Sequence, residues 1–204
     1  LTRAYLDSII QNVARSKGFD PDQALKAAVD VFWRNGYEKT SLDDLMAGMN
    51  VGRQSLYDTF GDKRSLYFSA LGEYRTATQE AMRRLFASGH PVRDCFSALL
   101  MGICNESRTD HERGCLLLSA NLERKADDKD VSALVRANQA EVEAIFEDAL
   151  RAAQQSGDLA ADKDPAALAS FFLATIQGMR QAARAASNRT ALERTAQVAL
   201  STLT

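Results

Sequence analysis

The chain has 204 residues, 46% hydrophobic and 25% charged, with 25 Lys and Arg against 27 Asp and Glu. That composition describes one or two globular domains with a real core, and it excludes disordered, collagenous and disulfide-framework chains. A net charge of −2 offers no general basic surface for nucleic acid, and the 10 Lys and Arg of residues 1–75 are matched by 10 Asp and Glu, so any DNA footprint must be a local arrangement of side chains.

Residues 1–17 place Leu6, Ile9, Ile10 and Val13 at the spacing of a short helix, and Arg15 and Lys17 suit a basic arm touching phosphate or the minor groove. A loosely ordered tail fits the same stretch. Asp20-Pro21 is a helix start, with Asp as cap and Pro at the first helical position. The helix is expected to run to about Arg34-Asn35, to bury Ala24, Leu25, Ala28, Val31 and Phe32, and to stop at Gly36. Trp33 is read as core packing or as a residue near the junction with a second domain.

Thr40 to Leu66 (TSLDDLMAGMNVGRQSLYDTFGDKRSL) organises the rest. Thr40 and Ser41 can cap a helix whose apolar side is Leu42, Leu45, Met46 and Met49, with Asp43 and Asp44 in its first turn, where the helix dipole favours them. Asn50 and Gly52 accept the turn between two short helices. The second helix, about Gly52 to Thr59, points Leu56, Phe60 and Val51 inward and leaves Arg53, Gln54, Ser55 and Tyr57 outside. Arg and Gln read base edges in the major groove, while Ser and Tyr hydroxyls hold phosphates. An ordinary helical hairpin with a solvated face would show the same pattern.

The run from Phe32 to Leu66 resembles the N-terminal domain of the TetR/AcrR family of transcriptional regulators. Phe32-Trp33, Gly36-Tyr37, Thr40-Ser41, the Leu45 to Val51 turn, Leu56-Tyr57, Phe60, Lys63 and Leu66 stand at that family's spacings. Two positions depart from it: Gln54 stands where Gly is frequent, and Asp58-Thr59 where a His often precedes the Phe. The resemblance implies an all-α protein, with a three-helix helix-turn-helix domain in residues 1–66 and an effector-binding and dimerisation domain in 67–204. It implies a homodimeric repressor on double-stranded operator DNA, paired through its last two helices and released by a small molecule. Arg53 is then the first base-contact residue, beside Gln54 and Ser55, and Lys39, Thr40, Tyr57 and Lys63 position phosphates.

Asp62 can cap a helix from Lys63 to about Phe86, with Tyr67, Phe68, Leu71, Tyr74, Met82 and Leu85 as its stripe, linking the two domains. Pro91 opens a helix ending near Asn105, and Arg108 to Arg113 reads as a polar segment. Gly114-Cys115 begins a short apolar helix to about Arg124, and RGCLLLSANLE looks like a segment of one branch of the same family. After a charged loop, Lys125 to Asp130, a long helix runs from Val131 to about Gln155. Asp164-Pro165 starts another, in which Gly178 is expected to permit close helix contact. A last helix, Thr190 to about Leu203, has the thin apolar face of a surface that meets a partner.

Enzyme and P-loop signatures are absent, and His90 and His111 read as surface residues without partners, so neither catalysis nor a metal centre nor a cofactor is expected. No apolar run is long enough to span a bilayer and no secretory leader is recognisable, so a cytoplasmic protein without membrane contact is expected, its three cysteines reduced. The effector should be a modest, largely apolar molecule lined by Phe96, Leu99, Leu100, Ile103, Cys104, Leu117, Asn121, Phe146 and Phe172. Two rival readings stand beside this one. The first is a thiol- or copper-sensing regulator acting through Cys95, Cys104 and Cys115, each of which also suits plain core packing. The second is a ligand-binding module whose helix-turn-helix no longer binds DNA, suggested by Asp58 and the neutral first domain.

Overall fold

The computed structural model describes residues 19–123, 128–186 and 188–204. The expected N-terminal helix and basic arm, with Arg15 and Lys17, lie outside the described residues, as do residues 125–127 of the expected charged loop. Every regular element among the described residues is helical: α1 Pro21–Asn35, α2 Leu42–Met49, α3 Arg53–Phe60, α4 Lys63–Phe86, α5 Val92–Asn105, α6 Arg108–Arg113, α7 Leu116–Glu123, α8 Lys129–Ser156, α9 Pro165–Ala186 and α10 Arg189–Ser201.

The starts and stops follow local chemistry. The Asp20 carboxylate accepts from the Asp22 and Gln23 amides, and Pro21 is the first residue of α1. Gly36 ends that helix at φ 76° and ψ 170°, a conformation that belongs to glycine. Ser41, rather than Thr40, caps α2 in a reciprocal box: its hydroxyl accepts from the Asp44 amide, and the Asp44 carboxylate accepts from the Ser41 amide. Asn50 closes α2 in the left-handed region at φ 53°.

Two apolar clusters organise the packing. The first joins Ala28, Phe32, Leu45, Leu56, Leu66 and Leu71 from α1 to α4, and it is closed by Leu116, Leu117 and Ala120 of α7 and Val131 and Val135 of α8. These first helices form a head bearing the helix-turn-helix. The second cluster builds the body from α5, α8, α9 and α10 around Phe96, Phe146 and Phe172. With 24 residues, α4 is about 36 Å long. Leu66, Tyr67, Ala70 and Leu71 at its start lie in the head cluster, and Met82 and Phe86 at its end pack on the body.

Three expectations change. Arg108–Arg113 is a helix, capped by Ser107, where a polar segment was expected. Within it His111 is buried, with Nε2 2.7 Å from the Ile103 carbonyl oxygen. A carbonyl oxygen can only accept, so that nitrogen donates, and the ring ties α6 to α5 instead of lying on the surface. Surrounding charges hid this from the sequence, because one inward position in six residues makes no stripe. Gly178 meets no atom of this chain within 4 Å of where a Cβ would stand, so it permits no close contact inside the protomer.

Candidate DNA interface and effector cavity

In the head, α3 is held by Leu56, which is buried, and by Val51 before it. The residues between and beyond them face outward: Arg53, Gln54 and Tyr57 are exposed and Ser55 is half-buried. Gly52 precedes α3 without any side-chain cap, so the first amides of the helix have no side-chain partner there. Arg53 Nη2 lies 3.2 Å from Asp43 Oδ1, with 61% and 81% of the two side chains exposed. A pair so exposed is held weakly, and the guanidinium can exchange that carboxylate for another partner. Gln54 Nε2 donates to Asp58 Oδ1 at 2.8 Å. The two departures from the family pattern are therefore one feature, a single hydrogen bond across a turn of α3.

Lys39 is exposed just before α2. Lys63 stands at the start of α4 with its ammonium 4.4 Å from the centre of the Tyr37 ring, which fixes the charge beside the helix-turn-helix. Thr40 is different. It is 1% exposed and its hydroxyl donates to the Gly36 carbonyl at 2.6 Å, so it shapes the turn and has no free hydroxyl for a phosphate. The hydrogen bonds from Ser41 hold the Asp44 carboxyl below its ordinary range, and the Ser65 amide does the same for Asp62 at the cap of α4.

In the body, a cavity of about 100 Å³ opens between α4, α5, α7, α8 and α9. Of the nine residues expected to line it, Leu99, Ile103, Leu117 and Phe146 do. Phe96, Leu100, Cys104 and Phe172 instead fill the core. Phe96 and Phe172 stack at 4.0 Å between ring centres, and none of the four is more than 3% exposed. Asn121 on α7 is also outside the wall. Periodicity identifies inward-facing side chains, and it does not say which of them border empty space.

The residues that the sequence reading missed include apolar ones, Met82, Leu118, Val135, Val142, Leu173 and Ile176, and all the polar ones: Tyr74, Thr78, Asn138, Gln139, Gln177 and Arg180, with Cys115 beside them. A signal was present. Asn138 interrupts the inward stripe of α8 between Val135 and Val142, and Thr78 follows Tyr74 by one turn on α4. Asn138 Oδ1 accepts from the buried Gln79 at 3.0 Å, which leaves its amide nitrogen to donate elsewhere. Arg180 is anchored by Glu106 at 3.1 Å. Burial pushes the Tyr74 hydroxyl well above its ordinary range, and the hydrogen-bonded Cys115 thiol adds to the effect.

The cysteines do not share a site. Cys95 is buried under the end of α4, where its sulfur lies 3.5 Å from the Leu85 carbonyl oxygen, and Cys104 is buried in the body core. Burial raises the pKa of both thiols. Cys115 alone is half-buried and on the cavity wall. Among the described residues no group of three or more His, Cys, Asp or Glu is placed to hold a metal ion, and no helix is long and apolar enough to cross a membrane.

A short exposed recognition helix on a capped helical pair, carried by a helical body with an internal cavity, defines a helix-turn-helix regulator. Residues 24–70 match the family model described as bacterial regulatory proteins, tetR family, and residues 97–199 match the tetracyclin repressor-like C-terminal domain. The chain belongs to the TetR family of DNA-binding transcriptional regulators. The uncharacterized HTH-type transcriptional regulator YezE of Bacillus subtilis is 33% identical over 165 residues, 78% of this chain and 84% of that protein. The HTH-type transcriptional repressor ComR of Escherichia coli is 31% identical over 193 residues, 93% of this chain and 90% of that one. A cysteine-substituted form of the regulator CifR, solved on a 26-base-pair operator duplex, is 31% identical with a TM-score of 0.80 over 94% of this chain and all of that one.

Proposed function

We propose that this protein is a homodimeric repressor that binds a palindromic operator through α3 and releases it when a small molecule fills the body cavity. The observation that carries the reading is the outer face of α3. Arg53, Gln54, Ser55 and Tyr57 project from a helix pinned to the head by Leu56, and the similar regulator CifR is solved on operator DNA. Arg53 leaves Asp43 for a base edge, with Gln54 and Ser55 beside it, while Lys39, Tyr57 and Lys63 meet phosphates. Two α3 helices one helical turn apart require a dimer. Its interface is the outer face of α9 and α10, where Phe171 is 40% and Val198 67% exposed beside small residues such as Ala182 and Ala191, and where Gly178 is open.

The effector is a small, mainly apolar molecule that carries a hydrogen-bond acceptor for Asn138 or Arg180, within walls of Leu99, Leu117, Leu118, Val142, Phe146 and Ile176. It favours a spacing of the two heads that does not fit both half-sites. Selection from a random duplex library with the purified full chain tests the reading. It should enrich an inverted repeat, and a folded dimer that enriches nothing would contradict it.

A second reading is favoured by one observation, the position of Cys115 on the cavity wall beside Tyr74 and Arg180. Here the effector is an α,β-unsaturated carbonyl compound: the thiol loses its proton to solvent, its sulfur bonds to the β-carbon as the C=C π bond opens, and the α-carbon takes up a proton from solvent. Cys115→Ser would then abolish the response to such compounds and leave operator binding intact. Copper sensing has no comparable support, since the three thiols have separate surroundings.

A further inference from the structure

The turn that leads into the helix-turn-helix is held by a side chain of the body. Tyr37 donates its backbone amide to Glu123 Oε2 at 3.0 Å, from the last residue of α7. A Cβ at Gly36 would lie 2.6 Å from Glu123 Oε1, so the carboxylate reaches that amide only because residue 36 has no side chain. The chain entering α7 is tied to the head as well, where Trp33 Nε1 of α1 donates to the Gly114 carbonyl at 3.0 Å. Between these anchors, Cys115, Leu117 and Leu118 border the cavity, and Leu117 also belongs to the head cluster.

The chain of contacts continues into the recognition unit. Thr40 donates to the Gly36 carbonyl, and the next residue, Ser41, caps α2. On the other side of the turn, the Tyr37 ring carries the Lys63 ammonium and packs 4.7 Å from the Tyr67 ring. A helix of 8 residues is about 12 Å long and moves as a rod. Pushing its middle from the cavity displaces both of its ends.

Resting on the reading of the cavity as the effector site, we infer that Glu123 is the positioning residue through which occupancy of the cavity reaches the DNA-binding head. Cavity filling moves α7, Glu123 carries the Gly36-Tyr37 turn with it, and the cap of α2 and the seat of Lys63 follow. The bond joins an ionised acceptor to a backbone amide and is stronger than a neutral one. Glutamine at this position still offers an oxygen to the same amide, and alanine offers none.

Iodoacetamide serves as the probe, because Cys115 is the one thiol that is not buried. The full chain is alkylated, and one added carbamidomethyl group is confirmed by mass spectrometry, with Cys115→Ser as the control for other sites. Operator affinity is then compared with and without the adduct in the wild type, Glu123→Gln and Glu123→Ala. The emission of Trp33, the one Trp, reports the far anchor of α7. Wild type and Glu123→Gln should lose about tenfold in affinity on modification, Glu123→Ala less than about twofold, and Trp33 emission should shift in the wild type.

A Glu123→Ala protein that loses as much as the wild type would overturn the inference and leave the effector reading standing. Glu123→Gln uncoupled like Glu123→Ala would contradict the hydrogen bond as the link. An alkylated wild type with unchanged operator affinity would remove the effector reading and the inference with it. Unfolding midpoints of both variants confirm that the comparison is between folded proteins, since Glu123 is exposed at a helix end.

Discussion

In the head, α1 and α2 meet with no room to spare: a Cβ on Gly48 of α2 would lie 2.4 Å from Val31 Cγ2 of α1. The body, by contrast, surrounds a cavity of about 100 Å³. A close-packed unit resists deformation and moves as a whole, whereas a unit with a void can be rearranged by filling it. The contrast assigns the two tasks of a regulator to two kinds of packing. On the proposed function, rigid presentation of α3 belongs to the head, and response belongs to the body.

The sharpest break of that comparison would come from exchanging core filler for cavity wall. Phe96→Ala should lower the unfolding free energy by about 3–5 kcal/mol, because its ring is enclosed by Phe86, Phe146 and Phe172. Leu118→Ala, on the wall and already half-exposed, should cost only ~1 kcal/mol. Equal losses in denaturant titrations would mean that the cavity is not a void in solution.

Tightness in the head is tested by Gly48→Ala. Val is branched at Cβ and cannot swing its methyl aside, so α1 and α2 must separate, at about 1–3 kcal/mol. A thermal scan that finds this variant more stable, as an exposed helical Gly→Ala change ordinarily is, would show slack between the two helices. A smaller effect isolates the turn chemistry. Ser41→Ala removes the cap of α2 and should cost about 1 kcal/mol, with operator binding weakened only as far as α2 frays.

The same contrast explains what was legible in the sequence. The head could be read because its signals are local: Asp20-Pro21, Ser41 with Asp44, Asn50 at the turn and Leu56 on the inner face of α3 each act within one turn of chain. The tie between Gln54 and Asp58 was legible in principle, as a pair four residues apart, and both were noted only as departures. The body was legible as helices with inward stripes, and its site was not. Whether Phe96 or Leu99 borders a void depends on how α5 packs against α8 and α9, which is a property of three helices together. His111 and Glu123 were missed for a related reason. Their partners, Ile103 and Tyr37, are brought to them by the packing of other elements.

The measurement that tests the account most directly is a fluorescence-anisotropy titration of the selected operator duplex with wild type and Arg53→Ala across a salt series. Wild type should bind with affinity falling steeply as salt rises, from its phosphate contacts. Arg53→Ala should lose roughly 1–3 kcal/mol on the operator and little on an unrelated duplex, with nearly the same salt slope, since a base contact carries sequence information. An Arg53→Ala protein with unchanged affinity and unchanged preference for the operator would contradict the assignment of α3 as the reading helix.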